Sequence, residues 1–165
     1  MKMITKERVF DPHESARAEA LAGVPLASFR QRSAAFAIDF LLAGVTYVPA
    51  EMLRQYLVLK LKHQEPDIHV HFDFHNPGSL VWLVLYFGLS VWRTNGRTIG
   101  KLLLRIRVVS LVHPKITLWQ AVERALGYGA SMLEGGFGFF QYFIHRNRCC
   151  VHDRIAETIV IKERD

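Results

Sequence analysis

Cysteine is nearly absent: the 165 residues hold two, Cys149 and Cys150, and they are neighbours. Adjacent cysteines are poorly placed for an unstrained disulfide, so both are read as reduced thiols without a metal or redox role. No HExxH or GxSxG sequence occurs, and no set of nucleophile, base and orienting group is legible; the chain is not read as an enzyme. The stretch GRTIGK, Gly96 to Lys101, superficially resembles a phosphate loop. It has three residues between its glycines where such a loop needs four, and Leu102 follows the lysine where Ser or Thr is required. The first thirty residues lack the uninterrupted apolar run of a cleavable signal peptide, so the start is read as a retained tail. A short helix is expected there, with Asp11 as N-cap, Pro12 at the first turn, Glu14 closing a capping box, and Gly23 and Pro25 marking the end.

What the sequence has is long apolar runs and segregated charge. Half of the residues are hydrophobic and 22% are charged, and the mean hydropathy is +0.12. The length allows one domain. A net charge of +6 also suits nucleic acid, but the basic residues flank apolar runs instead of forming a solvated face. That favours anionic lipid headgroups over a phosphodiester backbone, and nucleic acid is not expected as a partner.

Ser33 to Ala50 is eighteen residues long and apolar apart from Asp39 near its middle, with Arg32 at its head. As a helix it rises about 27 Å, close to the roughly 30 Å of a bilayer's hydrocarbon. The first span is expected from about Ala27 to Ala50, ending near Pro49, with Glu51 and Arg54 returning the chain to a polar environment. A second, Phe74 to Trp92, holds no Asp, Glu, Lys or Arg. The third apolar stretch, Ile116 to Ile144, would rise about 43 Å as one helix and must tilt, break or fold back. Five glycines fall inside it, and a break is expected around Gly135 and Gly136. Gly127, Ser131 and Gly135 form a small-residue stripe that lets another helix approach closely.

The connection from Trp92 to Thr117 carries six basic residues, Arg93, Arg97, Lys101, Arg105, Arg107 and Lys115, and no acid, whereas that from Glu51 to His75 mixes both signs. By the enrichment of Lys and Arg on the cytoplasmic side, the basic connection is expected inside. The N-terminal tail follows, as does the C-terminal stretch with Arg146, Arg148 and Arg154. An even number of crossings results, and the cytoplasmic (inner) membrane is the expected location. Trp92 and Trp119 are expected at headgroup level. Arg97, Lys101, Arg105 and Arg107 are candidate headgroup contacts, with Ile106 and Val108 facing the other way.

A mid-span aspartate costs roughly 2.5 to 3.5 kcal/mol on insertion scales, so Asp39 needs compensation. Arg32 lies on nearly the same helix face but roughly 10 Å away along the axis, too far to pair with it. Arg32 can snorkel to headgroups or meet a carboxylate at the interface. Asp39 needs an interior partner, water or a bound cation; Arg124 and Glu134 are candidate partners. A purely structural contact, or a protonated Asp39, remains the alternative. Ala35 and Ala43, one turn to either side, leave room for a helix to press on this face.

The segment DIHVHFDFH alternates strictly. In a strand His69, His71, Asp73 and His75 point one way, and Ile68, Val70, Phe72 and Phe74 the other. That donor set suits Zn, Ni or Cu, with His63 and Glu65 able to contribute, but alternate strand residues stand nearly 7 Å apart. A half-buried amphipathic strand on the outer membrane surface is the other reading.

Arg32 heading the first span, Asp39 within it, GRTIGKLLLRIRVV from Gly96, Arg124 in AVERAL, and VHDRIAETIVI from Val151 together resemble the RDD family of integral membrane proteins. The resemblance implies Arg32, Asp39 and Asp153 as signature residues. Val151 stands where the family usually has Leu, and Glu157 where it usually has Gly. With both ends cytoplasmic, Arg32 and Asp153 are expected to form a charge-assisted pair.

The fold expected is all-α: a polytopic domain over residues 27–161 with two spans and a broken C-terminal hairpin, between a cytoplasmic tail at 1–26 and a short tail at 162–165. Homo-oligomerisation and membrane lipids are the expected partners. The resemblance implies secondary transport of a monovalent cation or proton, as in cation/proton antiport, with Asp39 as the titratable carboxylate and Arg32 with Asp153 as a latch. The alternative is a non-transporting scaffold or assembly factor. Solvent access to Asp39 discriminates: transport needs a water-connected carboxylate, a scaffold a dry and fully paired one.

Overall fold

The computed structural model describes residues 19–63, 77–133 and 136–163. The expected helix start at Asp11, Pro12 and Glu14 lies outside them, as do Glu65, His69, His71, Asp73, His75 and Glu134. At residues 19–20 the backbone is helical and ends in a turn, with Gly23 at φ 78°.

The first long helix, α1, is Phe29–Leu61. Ser28 starts it with a capping box: its hydroxyl accepts from the Gln31 N–H at 3.2 Å, and Gln31 Oε1 accepts from the Ser28 N–H at 3.1 Å. Ala35, Asp39, Ala43, Tyr47 and Glu51, spaced four apart, form its buried face. The helix does not end at Pro49, contrary to the sequence reading. Its 33 residues rise about 50 Å. Glu51 is buried, and its carboxylate accepts from Arg54 at 2.7 and 2.5 Å and from Gln55 at 2.9 Å. The charges expected to return the chain to water are instead satisfied within one turn of the same helix. Among the described helices, α1 is the one long and apolar enough to cross a membrane by length and composition.

Helix α2, Pro77–Arg93, returns beside α1. Trp82 donates its indole N–H to the Ala43 carbonyl at 3.1 Å, and Phe87 stacks on Phe36 with centroids 5.6 Å apart. A short helix α3, Ile99–Leu103, and a strand β1, Ile106–Ser110, follow. Then come α4, Leu118–Leu133, and α5, Phe137–Ile144, with Gly136 between them at φ 87°. The break thus falls where the glycines put it. At eight residues α5 rises about 12 Å, short of the roughly 30 Å of hydrocarbon. Helix α6, Val151–Ile155, and strand β2, Thr158–Lys162, complete the order.

The all-α expectation needs correcting, because β1 and β2 pair antiparallel, from Ile106 with Lys162 to Ser110 with Thr158. In β1 the alternation of Ile106, Val108 and Ser110 inward reflects strand pairing, which an edge-of-membrane reading of the same alternation overlooked. On its other edge β2 meets the chain leading into α1: the Ala27 N–H donates to the Val160 carbonyl at 3.0 Å, and the Lys162 N–H to Pro25 at 2.8 Å. Three segments far apart in sequence therefore meet at one end of the bundle. Ile159 packs with Leu21, Leu26 and Val109, and Val160 with Ala27, Ala35 and Val91 on the opposite face.

Many large apolar side chains are exposed, while several charged ones are buried within the hydrophobic core. Leu41 and Val45 on α1 are 69% and 70% exposed, Phe140 and Ile144 on α5 are exposed too, and Asp39, Lys101, Arg124 and Asp153 are buried. Contiguous exposed aliphatics around a charged interior suit a lipid environment and not water. Trp92 and Trp119 are both exposed on the outside of their helices.

Candidate functional site

Two buried carboxylates organise the interior. Asp39, on the inner face of α1, is met by the start of α3. Its Oδ2 accepts from the Thr98 hydroxyl, and its Oδ1 from the Gly100 N–H at 2.8 Å and the Tyr86 hydroxyl at 3.4 Å. Lys101 Nζ lies 3.9 Å from Oδ2 and donates to Thr98 Oγ1 at 3.3 Å. Thr98 is also the N-cap of α3, accepting from the Lys101 N–H at 3.3 Å. The approach is close because residue 100 is glycine: a Cβ there would collide with the Ala35 carbonyl and lie 3.0 Å from the Asp39 carboxyl carbon. The stretch GRTIGK is thus an acceptor-matching turn, with Thr, a bare backbone N–H and Lys converging on one carboxylate.

Asp153, at the third position of α6, joins three parts of the chain. Its Oδ2 lies 2.7 Å from Arg32 Nη1 on α1, and its Oδ1 takes Arg124 Nη1 from α4. The Cys150 N–H donates to Oδ2 at 3.0 Å. Arg32 also donates to the Val160 carbonyl at 3.3 Å, and Arg124 to the Thr158 hydroxyl at 2.7 Å, so both guanidiniums reach β2. Rings cover the cations: Tyr142 lies 5.2 Å from the Arg32 guanidinium, and Tyr128 5.8 Å from that of Arg124. The approach of α6 to α4 depends on Gly127, where a Cβ would stand 2.7 Å from His152 Cβ. This is the close packing expected of the small-residue stripe, here filled by a short helix.

Residues 149–153 lie outside the long helices, and their ionisation follows from burial. Burial pushes the Asp153 carboxyl up, but Arg124 and Arg32 outweigh it and hold it below the usual carboxylate range. Burial, reinforced by the same arginines, brings His152 down to about 3, so it is neutral at pH 7. Burial raises the Cys149 thiol to about 12 and the Cys150 thiol to about 11. Cys150, His152 and Asp153 have ligand atoms within 4.8 Å of one another. A protonated thiol and a carboxylate already shared by two guanidiniums make that trio a poor cation site.

The structure brings Arg32 and Asp153 together and keeps Arg32 apart from Asp39, as the helix spacing requires. It corrects two other assignments. Arg124 meets Asp153 and Thr158, not Asp39. Lys101 is buried beside Asp39 and does not face headgroups. Of the remaining basic candidates, Arg97 pairs with Glu163 at 2.6 Å, Arg107 donates to the Asn95 carbonyl at 2.9 Å, and Arg105 is exposed. Thr98, Gly100 and Tyr86 were not anticipated as Asp39 partners. The signal was available for two of them, since a buried carboxylate needs donors and Thr98 and Gly100 stand in the one turn rich in them.

Exposed apolar side chains, a mostly helical body and buried, hydrogen-bonded charged residues mark the chain as a helical membrane protein. The chain belongs to the RDD family, whose model matches residues 26–157. It is also similar to an uncharacterized protein of Rickettsia prowazekii (strain Madrid E), 32% identical over 85 residues. That match covers 51% of this chain and 46% of the other protein, so the chain spans about half the length of the curated relative it matches. No solved structure matches.

Proposed function

We propose that this RDD protein is a static membrane scaffold, a rigid domain on which other membrane components assemble, and not an ion path. One observation carries the reading: Asp39 has no exposed surface, its two oxygens accept from Thr98, Gly100 and Tyr86, and the Lys101 ammonium stands 3.9 Å away. A carboxylate buried in this way, with three donors and a lysine 3.9 Å away, is enclosed by protein on every side, which suits a docking contact better than an ion path open to solvent. Its role is to dock α3 on α1. Asp153 does the same for α6, using Arg32 and Arg124.

The convergence of residues 25–27, 106–110 and 158–162 supports an even number of crossings between them, because segments that hydrogen-bond to one another share a side of the membrane. Together with the basic residues nearby, this supports cytoplasmic ends in an inner membrane.

Transport of a monovalent cation or proton is the second reading. It draws on a cavity that touches Lys101, the cation beside Asp39. Sodium and proton flux in proteoliposomes separates the two. The scaffold reading expects wild type, Asp39→Asn and empty liposomes to leak equally. A flux present in wild type and lost in Asp39→Asn would establish transport and overturn the scaffold.

A further inference from the structure

A cavity of about 230 Å³ lies between α1, α3, α4 and α6. Arg32, Lys101 and Arg124 line it, with Phe29, Phe36 and His152, and no acidic residue is among its lining. Its walls are otherwise mainly aromatic and aliphatic. The space equals the liquid share of roughly seven water molecules, enough for a phosphate-sized group.

Two observations give the cavity a sign. The first is charge. Arg32, Lys101 and Arg124 face two carboxylates, Asp39 and Asp153, within reach of ion pairing. His152 in the same wall is neutral, and the Cys150 thiol beside it stays protonated. One positive charge is left over among largely apolar side chains, where an uncompensated charge is costly. The second is hydrogen bonding. The Nε atoms of Arg32 and of Arg124 are buried without a partner, and so is His152 Nδ1. A guanidinium Nε–H is always a donor, so two charged residues of the wall each carry a buried donor with nothing to receive it.

We propose that this cavity binds a phosphate-type oxyanion, held by Arg32, Arg124 and Lys101. The inference is independent of whether the domain transports ions. An oxyanion supplies both the missing negative charge and acceptors for the unused guanidinium donors, and planar arginine forks suit phosphate oxygens. Basic pockets between membrane helices on the cytoplasmic side take lipid headgroups by the same chemistry. The phosphate can arrive on an anionic phospholipid, its apolar part along Phe29 and Phe36, or as the free ion.

Thermal unfolding of the full chain in an uncharged maltoside detergent tests this, with dioleoylphosphatidylglycerol, dioleoylglycerol or sodium phosphate added at constant ionic strength. Phosphatidylglycerol is expected to raise the midpoint by several degrees and dioleoylglycerol to leave it unchanged. A rise with sodium phosphate as well assigns the site to the free ion; a rise with phosphatidylglycerol alone assigns it to the lipid. Ser33→Phe, which narrows the cavity at its exposed rim on α1 and leaves the Asp153 pairs in place, is expected to weaken the response. Equal response to dioleoylglycerol, an undiminished response in Ser33→Phe, or no response to any addition overturns the proposal. Should Ser33→Phe fail to fold, native mass spectrometry of wild type decides: one phosphatidylglycerol retained per chain supports the site, and none retained, with no retained phosphate, refutes it.

Discussion

Asp39 and Asp153 are both fully buried, yet they are held in different ways. Around Asp39 the close donors are two hydroxyls and a backbone N–H, with the one cation at 3.9 Å. Asp153 has two guanidiniums in direct contact and a single backbone N–H. The difference follows from location. Asp39 sits among residues of α1, α2 and the turn before α3, where neutral dipoles can be packed close because Gly100 has no side chain. Asp153 lies where α1, α4, α6 and β2 meet, and there a shared charge ties together elements 121 and 29 residues apart in sequence. A hydrogen-bonded carboxylate docks one helix, whereas an ion-paired one closes the chain.

The sharpest way to break this comparison is to remove each charge in turn. Asp153→Asn leaves two buried guanidiniums facing a neutral amide and is expected to cost about 3 to 5 kcal/mol. Asp39→Asn keeps an acceptor oxygen for Gly100 and loses mainly the Thr98 and Lys101 interactions, for roughly 1 to 3 kcal/mol. Thermal unfolding in detergent ranks the two. Equal losses would abolish the distinction.

A second measurement uses pH. The unfolded imidazole of His152 titrates near its ordinary value of 6.5, while the folded one is held down to about 3. The unfolded state therefore binds the extra proton between those values, so His152 contributes stability that is complete above pH 6.5 and is lost as pH falls toward 3. Asp153, also lowered, adds a further loss below its ordinary 3.8. The unfolding midpoint of wild type is expected to fall from pH 6.5 downward. In His152→Gln the decline between pH 6.5 and the carboxylate range should shrink to the part owed to His145, whose imidazole is also held below its ordinary value by burial. A midpoint that falls identically in both would show His152 to be protonated in the fold.

The smallest expected effect is a gain. Glu157, between α6 and β2, has φ 47°, a conformation that side chains disfavour. Glu157→Gly relieves about 1 kcal/mol of left-handed strain, partly offset by the added freedom of the unfolded chain. A midpoint raised by one or two degrees is the expected result, and a clear fall would show that the glutamate side chain anchors the turn.

Much of the site could be read from residues alone. A seven-residue separation on one helix already keeps Arg32 from Asp39, and the glycines of the third apolar stretch already place its break beside Gly136. Harder to read was how far α1 runs, because Glu51 looks like an exit to water until Arg54 and Gln55 are seen to satisfy it. The sheet was missed for a related reason. The alternation in IRVVS has one meaning at a membrane edge and another beside a partner strand, and the partner lies some fifty residues later in ETIVIK.

Local chemistry and spacing thus determined the apolar helices and the need to compensate a mid-span carboxylate, since these depend on neighbours within a few turns. Only tertiary structure decided which cation serves which carboxylate, that Lys101 points inward, and that two distant strands pair, with the chain before α1 bridged to β2. Those outcomes depend on which backbones can approach closely, and that is set by packing across the whole chain.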